Sequence, residues 1–170
     1  MTFQSVVNVD LNLGVPGDIV IDEPNRTQPV TLAAAAAIGL FLTVANNTGL
    51  ASPGGALAAG SVVYGGVAVL PKIEPLFGSS AANPLNPNLN IQANEQVAML
   101  TFGSCVLNIP NAWNVGDFLQ YNLATGVIST YSPSGAPSGG NAQIPGAQMT
   151  RFGNANAGGG LGIARFNAPN

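Results

Sequence analysis

The chain has 170 residues, 46% of them hydrophobic but only 6% charged, with a formal net charge of −3. That length suits one domain able to bury roughly 70% of the surface its unfolded chain would expose, and the lone Cys105 excludes an intrachain disulfide framework. Four basic residues leave no electrostatic footprint for nucleic acid, and the lack of histidine removes Ser-His and Cys-His catalysis and every His-built zinc site.

Soluble proteins average about 25% charged residues, so polarity here rests on Asn, Ser, Thr and Gln. Helices exposed to water normally carry Lys/Glu pairs on the outer face, and this chain has too few charges to supply them. Its 22 glycines and 13 prolines fit short strands and shaped loops. A surface so poor in charge is sparsely protected against association, as expected if partners cover much of it. The longest apolar run, Val30–Ala45, falls short of the roughly 20 residues of a membrane span. The N-terminus shows no basic region followed by an apolar one. The chain reads as soluble.

From the N-terminus, Phe3, Ser5, Val7 and Val9 alternate with Gln4, Val6, Asn8 and Asp10. This is the pattern of an edge strand or of an arm reaching beyond the domain. Val15-Pro16-Gly17-Asp18 is a β-turn: proline presets φ at about −65° and glycine accepts the positive φ that follows. Ile19-Val20-Ile21 is a short buried run ending at Pro24. Ala33–Ala37 leads into a segment where Ile38, Leu40, Leu42 and Val44 share one face. The whole reads as one strand, with a short helix over the alanines as the alternative. Asn46–Gly60 reads as a loop, and Ser61–Leu70 as a strand whose Gly65-Gly66 marks a bulge or a close backbone approach. Pro71–Pro87 is an irregular excursion, and Leu89–Ile91 begins another strand.

Val97–Phe102 and Cys105–Ile109 read as two strands joined at Gly103-Ser104. Phe118–Leu123 and Val127–Tyr131 form a hairpin, with Gly126 in the left-handed position of a three-residue turn. Beyond the loop Tyr131–Gly140, Met149–Phe152 and Ile163–Phe166 pair as a terminal hairpin that closes the sheet. About eight to ten short strands at this spacing make the class all-β, a sandwich or barrel. Residues 1–24 are expected as arm and turn, and 25–170 as the β domain.

Motifs for chemistry are scarce. The sequence holds no phosphate-cradling G-x-x-x-x-G-K-[ST] loop and no G-x-S-x-G elbow. Asp18 with Asp22, or Glu74 with Glu95, could act as acid and base in glycoside hydrolysis, but nothing places either pair across a cleft. The acids of residues 10–23 could hold calcium, yet their spacing fits no known loop, and Asp at a turn usually bonds the turn itself. Asn25-Arg26-Thr27 and Asn46-Asn47-Thr48 match the glycosylation pattern at a rate chance explains. Trp113 reads as a core tryptophan ahead of an interface anchor. Arg26, Arg151 and Arg165 each either pair with one of the few acids or reach a partner.

Several stretches carry a resemblance. They are Leu13-Gly14-Val15-Pro16-Gly17-Asp18 with Arg26 after it, Ile38-Gly39-Leu40-Phe41, and Tyr64-Gly65-Gly66-Val67 leading to Pro71. Val115-Gly116-Asp117 with Thr125-Gly126, Ile144-Pro145-Gly146-Ala147 and Ile163-Ala164-Arg165-Phe166 complete them. In this order the sequence resembles the tailed-phage structural cement proteins that decorate the outside of the head. Residues 33–37 and 71–87 depart from the pattern, so contacts borne by those loops do not transfer.

The resemblance implies a small jelly-roll-like β-barrel or sandwich with long irregular loops and an extended N-terminal segment. It implies a homo-oligomer, trimer ahead of dimer, bound to the major capsid protein on the outer surface of the virion after synthesis in the host cytoplasm. Its role would be to bridge neighbouring capsomers and resist the pressure of packaged DNA. No enzymatic activity, cofactor, metal, nucleic acid or membrane is implied. The expected capsid or oligomer contacts are Phe3, Val7 and Val9 in the arm, Val15, Pro16, Gly17 and Asp18 at the turn, and Arg26 and Trp113. The alternative is a carbohydrate-binding or adhesin-like β module on a virion surface, for which Trp113, Tyr121 and Tyr131 are the aromatic candidates.

Overall fold

Short apolar runs punctuated by glycine and proline cannot complete helical turns, and no helix forms among the described residues. The computed structural model describes residues 14–20, 23–56, 62–70 and 90–167. The expected all-β class is what it shows. The strands are β1 (Arg26–Thr31), β2 (Ala36–Ala37), β3 (Phe41–Ala45), β4 (Ala51–Pro53), β5 (Val62–Val69) and β6 (Asn90–Ile91), followed by β7 (Gln96–Ile109), β8 (Phe118–Asn122), β9 (Ile128–Tyr131), β10 (Asn141–Arg151) and β11 (Gly160–Phe166). Nine form one antiparallel sheet in the order β4-β3-β5-β7-β11-β10-β8-β9, with β1 also on β7, while β2 and β6 pair separately. The arm expected over residues 1–12 and the excursion at 71–87 lie outside the described residues.

The spine is β7, 14 residues long. Its first half lies between β1 and β5, and its second half pairs with β11 on one edge and meets Ile19 on the other. Where two strands were expected, one continuous strand changes partners at Gly103. There φ is +119°, and a Cβ would lie 2.7 Å from Asn25 Cβ. The break read from the sequence is a shift in alternation. Ala98 and Leu100 face one core before it; Cys105, Leu107 and Ile109 face the same core after it. The inward parity changes from even to odd, and the glycine absorbs the extra residue.

That core, between the two halves of the sheet, also holds Phe41, Tyr121, Met149 and Phe166. The Phe41 and Tyr121 rings lie 4.2 Å apart. A second cluster, with Val30, Leu32, Leu42, Val97 and Met99, covers the opposite face of the β1-β3-β5 half. Burying each such side chain contributes about 1.5–3 kcal/mol.

Other expectations are corrected in detail. Residues 33–44 do not form one strand, because Gly39 turns at φ +86° between β2 and β3. The loop expected at 46–60 contains β4, hydrogen-bonded back to β3. Gly65-Gly66 is a close approach: a Cβ on Gly66 would lie 2.4 Å from Leu100 O, and the bulge falls next to it, where Val44 and Ala45 pair with Tyr64 and Val62. The β8–β9 turn has four residues, with Asn122 N–H donating to Val127 O and Gly126 at φ +74°. The terminal hairpin forms as β10–β11, but β11 lies between β7 and β10, inside the sheet and not at its edge.

The ladder does not close into a barrel; β4 and β9 are its ends. The β8–β9 turn nevertheless stitches those ends together. Phe41 N–H donates to Gly126 O (2.8 Å) and Gly55 N–H to Leu123 O (2.7 Å). The remaining edges are blunted. On β9, the Asn111 amide takes the place of a neighbouring strand: its Oδ1 accepts from Thr130 N–H and its Nδ2 donates to Thr130 O, both at 3.2 Å. On β1, Leu32 bonds inward to Glu95 O, so Val30 and Gln28 also face β7 and Pro29 faces outward, where its missing N–H leaves nothing to pair.

Candidate functional site

Two of the acids that sequence alone offers as a site, Asp18 and Glu95, are turn residues. In Val15-Pro16-Gly17-Asp18, Asp18 N–H donates to Val15 O (3.1 Å), and Asp18 Oδ2 accepts from Val15 N–H (3.0 Å). Gly17, at φ +88°, donates to Val106 O, and Val106 N–H donates to Asp18 O, both at 2.8 Å. A turn with positive φ at its third residue, followed by two residues facing one strand residue, is a turn joined to a glycine-type β-bulge.

The same arrangement occurs twice more. In Gln92-Ala93-Asn94-Glu95, Asn94 takes φ +67°, Glu95 Oε2 accepts from Gln92 N–H (2.9 Å), and Asn94 and Glu95 face Leu32. In Asn114-Val115-Gly116-Asp117, Gly116 takes φ +91°, Asp117 Oδ2 accepts from Asn114 N–H (2.8 Å), and Gly116 and Asp117 face Met149. Each turn opens an extended run along its partner: residues 18–20, β7 and β8. The acid satisfies a backbone donor that would otherwise be orphaned at the strand entrance.

The fourth described acid, Glu23, sits over the outer face of β7, β11 and β10. It accepts a short hydrogen bond from Ser104 Oγ, and Oε1 lies 3.4 Å from Arg151 Nη2. The Ser104 hydrogen bond, assisted by the charges of Arg165 and Arg151, holds its carboxyl below the usual range against the opposing effect of partial burial. No group of three or more His, Cys, Asp or Glu that could hold a metal occurs among the described residues. Asp10, Asp22 and Glu74 lie outside them. Cys105 is fully buried, and desolvation pushes its thiol far up, the opposite of a reactive thiolate.

Trp113 is 3% exposed. It exchanges two backbone hydrogen bonds with Asn154, and its Nε1–H donates to Phe152 O at 2.8 Å. Phe152 takes φ +51°, a left-handed conformation that costs a bulky side chain about 1–3 kcal/mol, yet the residue is 56% exposed. Val115, on the third turn, is 57% exposed.

Of the residues expected to make contacts, Phe3, Val7 and Val9 lie outside the described residues. Val15 is 51% exposed, Pro16 and Asp18 are half-buried, and Gly17 is buried. Arg26 is exposed, with no ion-pair partner among the described residues. Trp113 lies in the core. Tyr121 is also buried, and Tyr131 packs on Phe118 with ring centroids 5.8 Å apart, so the three aromatics do not form an open sugar platform. Phe152 was not legible as a surface residue, since a lone aromatic in Met149-Thr150-Arg151-Phe152 reads as strand core. The turn at 92–95 had a signal, an acid following a residue tolerant of positive φ, but no glycine to advertise it.

Compared with family models, residues 3–167 match that of the structural cement protein, described by E217 gp24 and Pam3 gp6. The chain belongs to this family. No curated protein sequence matches it. Among solved structures, this cement protein is similar to a chain from the capsid of Myoviridae phage XM1, with a TM-score of 0.62 at 14% identity over 98% of both chains. At that identity the likeness is one of fold. As a member of the family, the cement protein is a structural component of a phage capsid and associates with the major capsid protein.

Proposed function

We propose that this cement protein binds the outer surface of the phage head, bridges neighbouring capsomers and stiffens the shell against the pressure of packaged DNA. The observation that carries the reading is the family match over residues 3–167. The architecture supports it. A sheet whose ends are stitched and whose edges are blunted transmits load without pairing indiscriminately with other copies. Val15, Pro16, Asp18 and the exposed Arg26 are proposed as surface contacts. Phe3, Val7 and Val9 are proposed to extend the contact as an arm that adds to a neighbour. Gly17 and Trp113, being interior, act by holding the surface around them.

Assembly as a homo-oligomer, with a trimer suited to local three-fold positions, would turn weak single contacts into tight attachment. Heads lacking the protein, with and without the purified protein added back, provide the test. Added protein is expected to sediment with the heads and raise the temperature at which DNA is released. A monomer with no affinity for heads would overturn the proposal. Deleting residues 2–12 is expected to leave the domain folded but weaken attachment.

A further inference from the structure

We infer that the outer edge of β1 receives residues 5–10 of a second copy, which names the neighbour for the arm proposed above and rests on that reading. β1 faces β7 through Gln28 and Val30, so the backbone groups of Thr27, Pro29 and Thr31 point away from the sheet. Pro29 blunts only the middle of this edge. Thr27 keeps its N–H and its carbonyl, and Pro29 its carbonyl, without a hydrogen bond among the described residues. Arg26, Thr27 and Pro29 are exposed. The other edges offer less: Ile128 and Thr130 on β9 are buried, and on β4 Ala51 O accepts from Ala33 N–H while Pro53 has no N–H.

The pattern of the arm fits this edge in one antiparallel register. With Asp10 opposite Arg26, Asn8 falls opposite Gln28 and Val6 opposite Val30, so charge meets charge, amide meets amide and valine meets valine on one face. On the other face Val9, Val7 and Ser5 fall opposite Thr27, Pro29 and Thr31. Val9 then exchanges two backbone bonds with Thr27, and Val7 N–H donates to Pro29 O, the one bond that proline leaves there. A shift of two residues sets Asn8 or Asn12 against Arg26 and loses the ion pair; a shift of one exchanges the faces. Residues 1–25 carry four acids and no cation, whereas Arg26 has no ion-pair partner among the described residues. The strand comes from another copy because the turn at 15–18 does not close a hairpin. Val15 N–H is taken by the Asp18 carboxylate and Asp18 O by Val106 N–H, so the chain before the turn is not paired with the run after it. A contact of one patch with a different patch of the next copy closes as a ring, in agreement with the proposed trimer.

The test is sedimentation of the full-length protein over a range of concentrations, with amide exchange followed at Thr27. Wild-type protein is expected to self-associate and to protect the Thr27 amide as it does so. Asp10→Arg and Arg26→Asp should each weaken self-association about threefold or more at low salt, and the double variant should restore it, since the pair is then only reversed. Single variants that associate like wild type, with the Thr27 amide exchanging freely, would overturn the inference. Thr27 protection in a protein that stays monomeric would assign the strand to the same chain and overturn the exchange between copies. A monomer that loses head binding when residues 2–12 are deleted would give the arm to the capsid protein, overturning the inference and leaving the head-surface reading intact. Protein that associates through the arm but does not bind heads would support the inference and overturn the head-surface reading alone.

Discussion

The turns at 15–18 and 114–117 share the backbone bonds that define the turn and its bulge, and differ in what surrounds them. Both use a glycine near φ +90° and an aspartate that accepts from the first residue of the turn, and both set two residues against one of a neighbouring strand. The first is driven into the molecule. Gly17 is buried, a Cβ there would lie 2.1 Å from Ile38 Cγ2, and Leu70 N–H donates to Gly17 O. The second stands free, with nothing within 4 Å of where a Gly116 Cβ would be, and it presents Val115 to solvent. The same local chemistry thus builds an internal joint in one place and an external knob in the other.

The comparison breaks most sharply at the two glycines. Gly17→Ala combines left-handed strain with a clash against Ile38 and the Leu70 backbone, and is expected to cost about 3 kcal/mol or more in urea unfolding. Gly116→Ala meets no neighbour and should cost only the strain, about 1 kcal/mol. Equal losses would mean that the buried setting of the first turn contributes nothing.

Removing the acids tests the shared part. Asp18→Ala and Asp117→Ala are each expected to lose about 1 kcal/mol, since each leaves one backbone donor without its partner. A large difference between them would show that the two bonds are not equivalent.

A second tie sharpens the contrast, because the run from the first turn is held again by Glu23 on Ser104 and Arg151. The folded protein lowers the Glu23 pKa, so its contribution is present above the carboxyl's unfolded value and is lost as pH falls through the lowered folded value. Unfolding measured from neutral to acid pH should therefore show a decline that Glu23→Gln reduces. Identical profiles would remove Glu23 as a tie.

The smallest expected effect is at the second position of the turn, where Pro16 stands in one copy and Val115 in the other. The Val115 N–H makes no hydrogen bond among the described residues. Val115→Pro is expected to stabilise by about 0.4–1 kcal/mol by restricting the unfolded chain. A loss of stability would show that the second turn differs from the first in backbone shape.

Much of this was legible locally. Val15–Asp18 and the hairpin around Gly126 declare themselves because proline, glycine and aspartate act on φ and on donors a few residues away. The turn at 92–95 is the same device with Asn94 in place of glycine, a substitution that weakens the sequence signal without changing the backbone. The unity of β7 was hidden for a different reason. Gly103 interrupts the alternation, and only the partners on either side, β1 and then β11, show that one strand continues through it. Phe152 was hidden because exposure belongs to the assembled surface; its neighbours in sequence read as core.

By itself, then, the sequence determined an all-β chain without histidine chemistry, punctuated by turns whose acids serve the backbone. Those properties follow from composition and from interactions that span a few residues. Tertiary structure alone decided that Glu23 meets Ser104, 81 residues away, that one aspartate turn is buried and its twin exposed, and that Trp113 lies beneath the Phe152 it supports. Such outcomes depend on which distant strands pair, and strand pairing is settled by burial across the whole sheet, which no short window of residues contains.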